Sequence, residues 1–207
     1  MNISINDLEK NKFIKIDELR HDQIPAFIRP YLKKFNFYTL SYNLLVIIPF
    51  LFFIVRIIID YFNDSFDSAI ISFFAFGITG AFLLIPIHEL IHALAYKLVG
   101  AKTISFGSDI KNFVFFAAAD KFVADYKDFQ IIALAPVVTI TFISTIILFF
   151  ISGNLVWSFI GLITVHSMFS GGDFGLLSYF HENGDKEIVT YDDVQNKISY
   201  FYSKENL

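Results

Sequence analysis

Four long apolar runs divide the chain. They cover roughly residues 38–61, 68–99, 129–151 and 155–180. A helix on the surface of a soluble domain carries a polar stripe with a period of 3.6 residues, and these runs carry none. Each reaches the length of about 20 residues that a helix needs to cross a bilayer. A spanning segment must satisfy its own backbone hydrogen bonds, which favours helices. The pattern therefore predicts an all-α membrane protein with about four transmembrane helices over 38–180.

The flanks differ. Residues 1–37 hold seven basic and five acidic side chains, with Pro25 and Pro30 as breakers. They lack the short apolar core and cleavage site of a signal peptide, and are expected to form a cytoplasmic arm along the membrane surface. Residues 181–207 form a polar tail in which 187–191 and 197–202 suggest short strands. Between runs two and three, 103–116 reads as a small β-hairpin turning near Gly107 and Asp109. It is apolar enough to dip into the membrane, and equally fits an ordinary cytoplasmic hairpin. Lys and Arg number seven in the first flank, five over 97–128 and three in the tail, with none in the two short loops. Under the positive-inside rule both termini are cytoplasmic. The expected location is a bacterial cell membrane, with the lipid bilayer as a partner.

Composition fits this picture. Hydrophobic residues make up 55%, charged residues only 17%, and mean hydropathy is +0.57. An average soluble domain carries about 25% charge. A net charge of −4 argues against nucleic acid as a partner. The chain has no cysteine, so any transition metal must be held by His, Asp or Glu.

The second run ends in His88-Glu89-Leu90-Ile91-His92. Residues four apart share a helix face, so both imidazoles can reach one ion while Glu89 stands beside them. Residue frequencies leave roughly 0.003 chance matches to this motif in such a chain. Ionisable groups inside an apolar run are also costly and mark function more often than structure. Zinc needs a third ligand and an open position. Candidates are Asp173, His166, His181, Glu182 and the loop acids. Asp173 lies in Ser170-Gly171-Gly172-Asp173-Phe174-Gly175, well inside run four. At ~1.5 Å per residue, His88 and Asp173 lie about 30 and 27 Å along their runs, at similar depth. Gly171 and Gly172 allow a bend there. His166, two turns earlier on the same face, is read as a ligand, as a group behind the ligands or facing the substrate, or as a plain core histidine. Pro86 should kink run two and Pro136 run three.

His88-Glu89-Leu90-Ile91-His92-Ala93-Leu94, then Ala135-Pro136, then Gly171-Gly172-Asp173, resemble the zincin peptidases of the DUF3267 family over roughly residues 70–180. Their order is also similar to the core of site-2 intramembrane metalloproteases. The resemblance implies two His and a Glu from one helix and an Asp from a later one. The expected function is a zinc-dependent metalloendopeptidase cleaving membrane-anchored polypeptides near the cytoplasmic face, with Zn²⁺ on His88, His92 and Asp173 and Glu89 as catalytic base. A substrate strand could pair with the hairpin. The alternative is a metal-binding membrane protein without proteolysis: a transporter, sensor or inactive scaffold.

Overall fold

The computed structural model of the protein describes residues 4–109, 114–184 and 187–204. In chain order the first elements are α1 (Ile5–Leu8), β1 (Phe13–Arg20), α2 (Ile24–Leu32) and α3 (Phe37–Phe62). Then come α4 (Ala69–Leu83), α5 (Ile85–Leu98), β2 (Ser105–Asp109), β3 (Val114–Ala118), β4 (Ala124–Asp125) and α6 (Tyr126–Leu148). The chain closes with α7 (Leu155–Phe169), α8 (Gly171–Glu182), β5 (Glu187–Asp193) and β6 (Ile198–Lys204).

Among the described residues, α3 and α6 are long and apolar enough to cross a membrane. Runs two and four, read as single helices, are each broken. α4 meets α5 at 45° and α7 meets α8 at 46°, so the candidate spans number two to four. The first break falls beside Pro86, which lies in the first turn of α5, where its missing N–H costs least. The second precedes Gly171 and Gly172. Pro136, by contrast, lies within α6, which continues through it as one helix.

Helices α4 and α7 lie backbone to backbone. A Cβ at Gly77 would stand 1.9 Å from the Ser158 carbonyl oxygen, and one at Gly161 would stand 2.4 Å from that of Phe74. Close approach of this kind needs residues without side chains. Phe53 of α3 stacks on Phe74 with ring centroids 3.9 Å apart. The outer face of α3 exposes Leu44, Ile48, Leu51, Phe52, Val55 and Ile59, an apolar surface far larger than soluble monomers carry.

The expectation of an all-α fold needs correction. An antiparallel four-stranded sheet, in the order β1-β6-β5-β4, caps one end of the helices. β5 and β6 match the strands expected in the tail, whereas β1 departs from the expectation that its segment lies along the membrane as an arm. Its Phe13 and Leu19 are buried while Lys15 and Glu18 face outward. Leu19 and the sheet residues Ile188 and Phe201 close over Tyr179 and Phe180 of α8. At the same end, Asn36 Nδ2 caps onto Ser178 Oγ at 2.8 Å. The two short turns meet elsewhere, where Asn154 Nδ2 donates to Asp67 Oδ2 at 3.0 Å.

β2 and β3 form the expected hairpin. Its connection, 110–113, lies outside the described residues, and the turn expected near Gly107 is displaced. Gly107 sits inside β2 opposite Phe116, whose ring would come within 2.3 Å of a Cβ. The glycine leaves room for an aromatic ring rather than making a turn.

Candidate metal centre

Helix α5 turns one stripe inward. His88, His92 and Tyr96 follow at intervals of four and are buried, while Leu90, Leu94 and Leu98 on the other side are exposed. Asp173 enters from the first turn of α8, immediately after the α7–α8 break. The break redirects the chain so that the carboxylate meets both imidazoles. His88 Nε2 lies 3.0 Å from His92 Nε2. Asp173 Oδ2 lies 3.6 Å from His88 Nε2, and Oδ1 lies 3.4 Å from His92 Nε2. Among the described residues these three side chains could hold a metal ion.

The triangle can be tested against zinc. Tetrahedral ligands at ~2.05 Å stand about 3.3 Å from one another. The three separations, 3.0, 3.4 and 3.6 Å, lie close to that value, the last two measured to the two different oxygens of the Asp173 carboxylate. The donor set is also right in kind: two imidazole nitrogens and one carboxylate oxygen leave a fourth position open.

An imidazole binds a metal only through an unprotonated nitrogen, so the other ring nitrogen must be occupied. His92 Nδ1 lies 2.9 Å from the Ile132 carbonyl oxygen and donates to it, which leaves Nε2 free. That carbonyl is available for a local reason. In α6 its helical donor would be the N–H of residue 136, and residue 136 is proline. Pro136 therefore frees an acceptor that His92 takes up. His88 Nδ1 lies 3.1 Å from His166 Nε2. Donation from His88 to His166 again leaves Nε2 facing Asp173. His166 is 1% exposed, and in this arrangement it stands behind His88 rather than in the triangle.

The other candidates lie apart from the triangle. Glu182 accepts from Asn36 Nδ2 at 3.0 Å, and the His181 ring packs on Tyr38. Glu89 lines the same cavity as the triangle, beside a backbone hydrogen bond from Ala117 of β3. Its Oε2 is buried without a hydrogen-bond partner. A buried carboxylate oxygen left unpaired is costly. The cavity measures about 340 Å³ and runs from the triangle to the sheet, where His21, Asp192 and Ser199 line it. The sequence does not mark these three, because each lies in a polar flank where polar residues are ordinary.

Residues 81–184 match the family model described as "Putative zincin peptidase", DUF3267. The chain belongs to this family. The match begins before α5 and ends after α8, so it takes in the triangle, Glu89, His166 and Pro136. Family membership suggests metallopeptidase chemistry and zinc for this DUF3267 chain. Comparison with curated proteins and with solved structures gave no match.

Proposed function

We propose that this chain is a membrane-embedded zinc metalloendopeptidase that cleaves membrane-anchored polypeptides near the cytoplasmic face. The observation that carries this reading is the convergence of His88, His92 and Asp173 in one cavity with an unpartnered Glu89 oxygen. His88, His92 and Asp173 would hold the ion. Zinc, when bound, makes water more acidic and polarises a peptide carbonyl. Glu89 takes the proton from the attacking water and delivers it to the leaving nitrogen. His166 and the Ile132 carbonyl fix the two imidazoles in the tautomer that binds metal. Phe115, Phe116 and residues of the sheet line the same cavity.

The exposed apolar flank of α3 and the apolar length of α6 support placement in a bilayer. The concentration of Lys and Arg in the segments at the sheet end supports a cytoplasmic orientation for that end.

The test uses purified full-length protein in detergent with zinc and a set of membrane-anchored peptides. Wild type should cleave, and Glu89→Gln should retain zinc while losing about 10²–10⁴-fold in rate. Equal cleavage by both would remove Glu89 from the mechanism. Zinc binding without cleavage by either would favour a transporter or sensor.

A further inference from the structure

The same cavity carries a second polar group that the mechanism above does not use. Asp192 and Ser199 are cross-strand partners on β5 and β6. Ser199 Oγ donates to Asp192 Oδ1 at 2.5 Å. Tyr96, from the same α5 stripe as the histidines, lines the cavity with them. His21 Nε2 stands 3.4 Å from Ser199 Oγ and 3.8 Å from Asp192 Oδ1. His21 is 5% exposed, and its Nδ1 has no hydrogen-bond partner. All four residues line the cavity that holds the triangle.

The chemistry of this wall is one-sided. With Nε2–H directed at the Ser199 and Asp192 oxygens, His21 Nδ1 is a bare acceptor. Asp192 is an acceptor with a negative charge, and among the described residues no Lys or Arg lines the cavity. The complement to such a wall is a group with donors only and a positive charge, namely a Lys ammonium or Arg guanidinium. Acidic side chains would meet like charge and an unmet acceptor.

We propose that His21, Asp192, Ser199 and Tyr96 form a subsite that binds a Lys or Arg side chain of the substrate polypeptide, beside the scissile bond. The proposal rests on the peptidase reading and adds the substrate class to it. Chain segments that leave a membrane on its cytoplasmic side are rich in Lys and Arg, so the subsite suits what an enzyme at that face encounters. It also explains why β1 and the turn after it close onto the tail strands: that closure brings His21 to Asp192.

The experiment uses the zinc-loaded full-length protein and a series of apolar-anchored peptides. Each has a single Lys at one position of the flank, with norleucine and Glu counterparts. Two quantities are read: binding to Glu89→Gln, which does not turn the peptide over, and kcat/KM with wild type. Lys at one position should be favoured by about tenfold in both, the worth of one charge-assisted hydrogen bond. Asp192→Asn and, separately, His21→Gln should bring the Lys-to-norleucine ratio close to one with zinc content retained. Cleavage without Lys preference would overturn the subsite and leave the peptidase reading intact. Lys-selective binding to Glu89→Gln without any cleavage by wild type would keep the subsite and overturn the peptidase reading. Glu peptides bound as tightly as Lys peptides would overturn the subsite outright.

Discussion

At the scale of single residues, the candidate centre depends on backbone groups as much as on side chains. His92 is oriented by the Ile132 carbonyl, which is free because Pro136 has no N–H to give it. Pro136→Ala restores that donor, so the helix gains a bond and His92 loses its exclusive acceptor. Zinc affinity should then fall about 10–100-fold, the usual cost of losing a group that orients a ligand, as measured by competition with a chelating dye. Asp173→Ala removes a corner of the triangle, and metal analysis after dialysis should show zinc lost. Full zinc retention in that variant would assign the third ligand elsewhere. The histidine pair and Glu89 were legible in the sequence because residue type and spacing both carry the signal. The Ile132 carbonyl was not, since a backbone group leaves no mark in composition; only the proline four residues later points to it. His21 and Asp192 were hidden for another reason: they lie 171 positions apart and come together only through strand pairing.

At the scale of elements, the close α4–α7 contact and the two breaks decide where the chemistry sits. Gly77 faces the Ser158 carbonyl with no room for a methyl group. Gly77→Ala should force the helices apart and lower stability by about 1–3 kcal/mol, seen as a lower thermal midpoint in detergent. Gly172→Ala is the control, because a Cβ there meets nothing within 4 Å. The apolar runs predicted helices at 38–61 and 129–151 well, since length and continuity suffice for that. The kink beside Pro86 was also legible. β1 was not: its alternation is interrupted at Lys15–Asp17, where its register on β6 shifts, and its partner strand begins 178 residues after Arg20. Pairing information of that range is absent from local pattern.

At the scale of the whole molecule, the helices supply the histidines and the aspartate while the sheet closes the cavity over them. Both ends of the described chain contribute to that sheet through β1 and β6. Removing residues 1–20 should expose the β6 edge and open the cavity, so that selectivity among peptides is lost before zinc binding is. Peptide profiling beside metal analysis of the truncated chain checks this order. His88, His92 and Asp173 are proposed to hold one zinc ion, with His166 behind His88. X-ray absorption spectroscopy of the zinc-loaded protein tests it most directly. One zinc per chain is expected, with two imidazoles and carboxylate or water oxygens around it, and an unchanged imidazole count in His166→Ala. Three imidazoles on the metal, one of them lost in His166→Ala, would contradict it.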